Sequence, residues 1–535
     1  MGCDAGVPRF LLLFPPGWTF HSGGPHLALP MLRAVLEQRG VEVRVRDLNI
    51  EVGLWLKARV ENEKVMDACQ TGTMAAYNHV YFASQGVLEE AAKPYGARWD
   101  VRLGFEYEDL SSFSSQDSLQ AARRESPFTR FYQEGALAEI LDLRPNVIAL
   151  ELACIQQMVP ALQLCRMLRD AGCGATIIAG GNTVTRLADS LANPALFDLV
   201  DAFALYQGEP TVFALADALA SPKPLAGVPN IIWRDGEEIR RNPTDNRVDS
   251  DAAPVPNFDD LPWEEYWGEP YLPLLSARGC YHGRCSFCAI PLGWGERQFA
   301  GMRSPELVFQ DIAFCAEKYG ITNFKFVDEA MPPRTIKYLA TRLLREGLKV
   351  QWEAYTRLEQ AWVDSDLADV AAAGGFRKGY FGVEILEGRN REVLNKKDAA
   401  NAADLIRRCK GTGVLVHMFS MLGYPGTTPA DARRTVEFAL SKSDSIDTLD
   451  VFAYGYARGT SEPPGVKLRR DPRLDWALEI PFESAQDGVT SSAEIDAMVE
   501  FYEEFVFAQQ PRLLHPTYRL MSPWHMPSAG RSASV

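Results

Sequence analysis

The sequence has 535 residues, 47% of them apolar and 23% charged. At ~100–200 residues per domain this is about three soluble domains, and it excludes a disordered or fibrous chain. Fifty-five Lys and Arg stand against 70 Asp and Glu, a formal charge of −15, which repels phosphate backbones and makes nucleic acid an unexpected partner.

No stretch reaches the ~18 consecutive apolar residues of a membrane span. The first apolar run, Phe10–Phe14, has the length of a strand rather than of a signal-peptide core. The expected setting is the cytoplasm, with no membrane partner. The ten cysteines are therefore expected to be free thiols or metal ligands.

Residues 9–47 read as strand, loop, helix and strand. RFLLLF is a buried-strand run and PPGWTFHSGGP a turn-rich loop. LALPMLRAVLEQRG has helical spacing at Leu29, Leu32 and Leu36, and VEVRVRDL alternates as a strand does. The alternation resumes at NVIALEL (strand), QMVPALQLCRMLRDAG (helix) and ATIIAGG (strand). It continues through TVTRLADSLA (helix), DLVDAFAL (strand) and EPTVFALADALA (helix). Strands alternating with helices predict a parallel sheet with helices on both faces, in which ligands bind beyond the carboxyl ends of the strands. The loops at Pro15–Gly17, Gly180–Asn182 and Gln207–Glu209 occupy those ends.

The intervening residues, about 50–140, exceed the usual ~2–6 residue connection and are read as a helical insertion. It is either a structural elaboration or a lid that shapes the substrate site. Residues 226–268 read as a linker, with a hairpin around Asp235-Gly236 followed by the Pro-rich DAAPVPNFDDLP.

A second alternating series spans 269–468. Its strands are YLPLLSARG, NFKFVDE, LKVQWEAY, KGYFGVE, VLVHMFSMLGY and TLDVFAYGY, separated by helices. One of these helices starts at Ser304-Pro305, buries Val308, Ile312, Cys315 and Tyr319, and stops at Gly320. Six such units predict a partial (β/α)6 barrel of TIM type, with its chemistry at the carboxyl ends of the strands. Residues 469–535 are expected to form a short helical region, entered by a Ser491/Glu494 capping pattern and ending in a frayed tail.

The sharpest signal is ARGCYHGRCSFCAIP, directly after the first strand of the second series. It places Cys280, Cys285 and Cys288 on one loop. Three soft thiolates so close together can hold three irons of a [4Fe-4S] cube and leave the fourth iron open to another ligand. Gly279 and Gly283 ease the wrapping of backbone around such a group, and Phe287 can shield it from water. The alternative is a zinc site that recruits His282, although no second cysteine pair follows to close a zinc ribbon. Cys154, Cys165, Cys173, Cys315 and Cys409 fall in or beside strands and helices and are read as core residues.

With this loop the sequence resembles the radical S-adenosylmethionine (SAM) enzymes, although their usual first spacer has three residues and this one has four. Further matches follow in order over about 271–465. FVDEAMPP ends the second strand, where the resemblance implies Asp328 and Glu329 as groups for the SAM amine. Arg357 in YTRLE is implied for the SAM carboxylate. Glu384 in YFGVEILEG, similar to the family's FGLESG, is implied near the SAM ribose or amino-acid portion. MLGYPGTT resembles the fifth-strand GxPGxT turn at Gly423, Pro425, Gly426 and Thr428, and ARGT near Gly459 and Thr460 matches the sixth strand end. Each residue has a plain structural alternative, a cap for Asp328 and a turn for Gly423 and Gly426.

The order of the two series resembles the cobalamin-binding branch of that superfamily, with a Rossmann-like cobalamin domain over 1–225. AGGNT and YQGEPT are similar to the branch's GGxH and GEGE loops, which implies Pro16, Gly180, Gly181, Gly208 and Glu209 as cobalamin-binding positions. Asn182-Thr183 and Gln207 depart from its pattern. No Asp-x-His-x-x-Gly occurs, so any cobalamin would lack a protein histidine ligand. The alternative is a cofactor-free domain that only supports the barrel.

The resemblance implies a [4Fe-4S] cluster, SAM and cobalamin as cofactors, and an external electron donor such as flavodoxin or ferredoxin. It implies a 5′-deoxyadenosyl radical and C-methylation of a small molecule or peptide in specialised metabolism. Cyclisation, rearrangement or 3-amino-3-carboxypropyl transfer are alternatives within the same chemistry. A non-enzymatic cobalamin- or metal-sensing module is an alternative outside it. His417, Tyr424, Tyr454 and Tyr456 come from late strands and either face the substrate or fill the barrel.

Overall fold

A computed structural model describes residues 7–17, 24–59, 85–100, 104–219, 225–245, 248–266, 270–294, 301–386, 392–396, 401–485 and 491–514. The chain divides into two compact units. The first takes the described residues up to 266 together with 471–478; the second takes 270–470 and 479–514.

In the first unit, β1 (Arg9–Phe14) is buried along nearly its whole length. β2 (Glu42–Asp47) buries Val43 and Val45 and exposes Glu42 and Arg44, the alternation its sequence predicts. An excursion then carries the hairpin β3 (Ala97–Asp100) and β4 (Gly104–Tyr107). β5 (Val147–Glu151), β6 (Thr176–Gly180) and β7 (Ala202–Ala204) follow, and the hairpin β8 (Ile231–Asp235) and β9 (Glu238–Arg241) closes the series. The sheet order is β2-β1-β5-β6-β7-β8-β9. The first five strands are parallel, and β8 and β9 add antiparallel. The helices Ala28–Glu37, Met158–Asp170 and Gly208–Ala218 stand where the sequence places them.

Three expectations change here. The hairpin around Asp235-Gly236 is not part of a linker: Ile231 and Ile232 pair with β7 and bury apolar side chains in the sheet. The excursion is not wholly helical. Beside the helices Leu48–Lys57, Ser115–Ala121, Pro127–Phe131 and Leu137–Asp142 it holds β3 and β4. The hairpin forms because Trp99, Phe105 and Phe128 make an edge-to-face cluster at 4.7–6.0 Å. The helix read from TVTRLADSLA is reduced to Asn182–Arg186 and a single turn of tighter helix. Residues 60–84 of the insertion lie outside the described residues.

In the second unit, six parallel strands lie in the sequential order β10 (Leu272–Leu274), β13 (Asn323–Phe326), β14 (Gln351–Thr356), β15 (Phe376–Glu384), β16 (Leu415–Leu422) and β17 (Thr448–Ala453). β11 (Ala277–Arg278) and β12 (Gly301–Met302) pair separately. The longer helices between consecutive strands are Pro305–Tyr319, Pro333–Glu346, Leu367–Ala373, Ala402–Thr412 and Pro429–Ser441. This repetition is the wall of a partial βα barrel.

One face of the wall packs Phe326, Trp352, Phe376 and Trp362 in edge and tilted contacts of 4.8–5.8 Å. Alternate residues carry polar groups. Lys325 Nζ lies 3.3 Å from Glu353 Oε1, Tyr380 donates to Glu353 Oε2 at 3.1 Å, and His417 Nδ1 meets Thr448 Oγ1 at 2.7 Å. His417 is fully buried in this layer.

The C-terminal region also departs from the helical expectation. Residues 471–478 belong to the first unit, where Trp476 is fully buried and its backbone N–H donates to Phe113 O at 2.8 Å. The chain then pairs β18 (Tyr456–Ala457) with β20 (Glu479–Ile480), and β19 (Val466–Leu468) with β21 (Phe482–Ser484). Only after these strands does the helix Ser492–Gln509 begin, with Ser491 accepting from Glu494 N as its cap. The tail from 515 lies outside the described residues.

Candidate functional sites

In the second unit the site is built from strand ends. β10 delivers Ser276, and Asp328 follows β13. Asp328 is 1% exposed. Its carboxylate accepts from Ser276 N at 2.8 and 3.1 Å and from Ser276 Oγ at 2.8 Å. Burial pushes its pKa up to about 7, against the lowering pull of these hydrogen bonds. Glu329 accepts from Gly279 N at 3.1 Å and from Trp294 Nε1 at 2.9 Å, and burial raises its pKa as well. Both carboxylates therefore fasten the start of the cysteine loop to the second strand.

The loop then turns through Gly279 and Gly283 at φ +80° and +59°, the left-handed conformations that glycine adopts without strain. Cys280, Cys285 and Cys288 are half-buried free thiols. Burial raises the pKa of Cys285 and pushes that of Cys288 to about 12. At Cys285 the opposing influences, largest first, are the Lys396 ammonium and the Arg357 guanidinium. Cys280, Cys285 and Glu384 all act on Cys288, so the three thiols and Glu384 share one neighbourhood. Among the described residues no group of three or more His, Cys, Asp or Glu closes around a single metal ion.

β15 delivers Glu384, a non-glycine residue at φ +62°. Its Oε1 receives Lys396 Nζ at 2.9 Å, and its Oε2 is buried without a partner. Gly382 makes room for the pair, since a Cβ there would lie 2.4 Å from Glu384 Oε1 and 2.6 Å from Lys396 Nζ. Arg357, after β14, stands 5.9 Å above the Tyr281 ring and 3.9 Å from Glu359, to which Tyr281 donates.

The structure thus gathers Cys280, Cys285, Cys288, Arg357 and Glu384, all singled out in the sequence. It adds Lys396, Ser276, Tyr281 and Glu359, which were not. Lys396 lies in a short polar stretch with no motif and no periodicity. Thr428 serves a structural end: its hydroxyl caps the helix Pro429–Ser441 in a reciprocal box with Asp431. Tyr424, Tyr454 and Tyr456 pack in an apolar cluster against which Phe287 rests.

In the first unit the order β2-β1-β5 reverses direction between β1 and β5, and such a switch point opens a crevice at the carboxyl edge. Pro16 follows β1 and is buried. Gln157, fully buried beyond β5, donates to Pro15 O at 2.7 Å and accepts from Ala153 N at 2.8 Å, joining the two loops. Gly180 ends β6.

Gly181 follows at φ +106°, where a Cβ would lie 2.6 Å from Leu152 O, so only glycine passes there. Gly208 and Glu209 open the helix Gly208–Ala218, with Glu209 buried. Thr183 is 1% exposed and its hydroxyl oxygen has no partner. Cys154 lies at this edge, its Sγ 3.9 Å from Gly17 O, and not in the core as the sequence suggested.

No protein-family model matches the chain, and no curated protein matches it in sequence. Solved structures do. TsrM, a radical S-adenosylmethionine methyltransferase from Kitasatospora setae with cobalamin and a [4Fe-4S] cluster bound, superposes with a TM-score of 0.61 at 14% identity. The match covers 95% of this chain and 93% of TsrM. TsrM with tryptophan substrate and a SAM analog gives 0.56 at 16% identity over 87% and 79%. OxsB, a cobalamin-dependent S-adenosylmethionine radical enzyme with aqua-cobalamin bound, gives 0.55 at 14% identity over 84% of this chain and 54% of OxsB. The chain therefore has the fold of the cobalamin-dependent radical SAM enzymes.

Proposed function

We propose that the protein is a radical SAM enzyme that uses cobalamin to methylate carbon in a small-molecule or peptide substrate. The observation that carries this reading is the three-thiol loop at the carboxyl edge of the six-stranded wall, with cationic and carboxylate side chains around it. The donor set fits an iron–sulfur cluster: soft thiols on one loop, beside positive charge that favours their ionised form. The buried, unpartnered Glu384 Oε2 fits a ligand N–H or O–H, as SAM offers. In the first unit the unpartnered Thr183 hydroxyl beside the switch-point crevice fits a polar group of a cobalamin.

When bound, the cluster and SAM supply a 5′-deoxyadenosyl radical and cobalamin supplies a methyl carrier. The chain's own residues do the rest. Cys280, Cys285 and Cys288 hold the cluster. Asp328 and Glu329 hold the loop in register through Ser276 and Gly279. Arg357 and Glu384 would orient SAM by its carboxylate and by its amine or ribose, as the resemblance implies. Phe287 and its apolar cluster exclude water from one side. Pro16, Gly180, Gly181, Gly208 and Glu209 line the cobalamin crevice. An external one-electron donor of the flavodoxin or ferredoxin class completes the reading.

The test is anaerobic reconstitution with iron, sulfide, cobalamin and SAM. About four irons per chain, bound corrin and SAM-derived 5′-deoxyadenosine with S-adenosylhomocysteine are expected, and Cys285→Ala loses both iron and SAM cleavage. Methylthioadenosine as the SAM product would instead indicate aminocarboxypropyl transfer. Unaltered SAM cleavage by Cys285→Ala would end the cluster assignment.

A further inference from the structure

Residues 392–396 form a clasp on the cysteine loop. Leu394 O accepts from Ser286 N at 3.2 Å, and Val393 O accepts from Ser286 Oγ at 3.3 Å. Asn395 Nδ2 donates to Arg284 O at 3.2 Å, and Asn395 O meets His282 Nε2 at 3.4 Å. Both chain neighbours of Cys285 are thereby tied to one short segment. Asn395 takes a left-handed conformation, φ +54°. The next residue, Lys396, then turns inward: its side chain is 8% exposed, with its ammonium on Glu384 Oε1 at 2.9 Å.

A lysine bears a large desolvation cost in such a place, and the Glu384 partner offsets it. One carboxylate oxygen suffices to anchor the ammonium, since the other is left without a hydrogen bond. Of the charges acting on Cys285, the ammonium is the largest, ahead of Arg357 and Glu384. The clasp ties both chain neighbours of Cys285 to the residues that directly precede Lys396, and the ammonium favours the ionised form of that thiol.

We propose that Lys396 is a positioning residue for the iron–sulfur centre: held by Glu384 and the 392–396 clasp, it keeps a fixed cation beside the Cys285 thiolate and raises the centre's reduction potential. This rests on the cluster reading above. Reduction adds one electron from the external donor, and hence one unit of negative charge, to the cluster. A cation fixed in a site of low dielectric stabilises that added charge more than solvent would. With three thiolates, an oxidised [4Fe-4S] core would carry about one net negative charge and its reduced form about two, so a nearby cation favours the reduced form.

The experiment is a redox titration of the reconstituted full-length protein, followed by electron paramagnetic resonance, with iron and sulfide assayed in parallel. Lys396→Met keeps the length and removes the charge. The expected result is wild-type iron content with a midpoint displaced to lower potential. The displacement expected is about tenfold in the reduction equilibrium, or ~59 mV for one electron, and Lys396→Arg restores most of it. A purely structural lysine would change iron content and leave the midpoint of the remaining cluster in place.

If Lys396→Met alone fails to fold, the Lys396→Met/Glu384→Gln double variant removes both buried charges. Its midpoint is compared with that of Glu384→Gln alone: a lower midpoint in the double variant supports the proposal, and an equal one overturns it. A wild-type midpoint in a fully loaded Lys396→Met overturns it directly. Absence of a four-iron signal in the wild-type protein is a different failure: it removes the cluster reading itself, and the proposal with it.

Discussion

Lys396 Nζ and Glu384 Oε1 stand 2.9 Å apart on two buried side chains, 8% and 9% exposed, at the carboxyl end of β15. Breaking such a pair from one side leaves a buried charge without a partner, which costs about 3–5 kcal/mol, whereas removing both charges costs much less. Lys396→Met and Glu384→Gln are each expected to lower stability by about 3 kcal/mol, and the double variant by clearly less than their sum. Urea unfolding of the cluster-free chain measures all three. Additive losses would mean that the two groups do not interact in solution.

Gly181 separates a backbone requirement from a cofactor requirement. Its φ of +106° and the 2.6 Å approach of a Cβ to Leu152 O mean that Gly181→Ala strains the loop whether or not cobalamin is present. A loss of about 2 kcal/mol or more is expected in corrin-free protein. Thermal unfolding without cobalamin reads it, and an unchanged midpoint would show that the loop relaxes.

Asp47 closes β2 and caps the helix Leu48–Lys57. Its Oδ1 accepts from Asn49 N and Ile50 N, both at 3.1 Å, and its Oδ2 accepts from Tyr266 OH at 2.8 Å. Asp47→Ala should cost about 2 kcal/mol, the upper range for a lost cap, and Tyr266→Phe about 1 kcal/mol. In the double variant the two losses should fall short of additivity, because Asp47→Ala already removes the acceptor of the tyrosine.

The pH dependence follows from Asp328, whose pKa is raised from 3.8 to about 7 by burial. Between those values the native state holds a proton that the unfolded chain has released, so stability falls as pH rises from about 4 to about 7. The slope from this one group is at most ~1.4 kcal/mol per pH unit. Asp47, pushed up to about 6, and Glu151, pushed up to about 7, act in the same direction. Asp328→Asn keeps an acceptor for Ser276 and removes one proton from the balance. Chemical denaturation from pH 4 to 8 should show a shallower decline in the variant; identical slopes would show that Asp328 is ionised throughout.

Much of the architecture was legible because it is local. The β1 run, the Val43/Val45 alternation and the face at Val308, Ile312 and Cys315 are periodic, and period follows directly from helix and strand geometry. Cys280, Cys285 and Cys288 were legible for the same reason, since nine consecutive residues contain all three. The hairpin at Asp235-Gly236 was also visible, but its destination was not: nothing in its turn chemistry says which strand edge it will join.

The sequence by itself determined the alternation of strands and helices, their order, and a three-thiol loop after the first strand of the second series. Only the tertiary structure decided what surrounds that loop. Ser276 meets Asp328 across 52 residues, and Asn395 reaches Arg284 across 111. Such contacts depend on which strands become neighbours and how far each strand end projects. The polar stretch containing Lys396 carries no period and no motif, so its ammonium became a candidate only when the wall brought the end of β15 beside the cysteine loop. Burial there turns an ordinary surface residue type into a fixed charge.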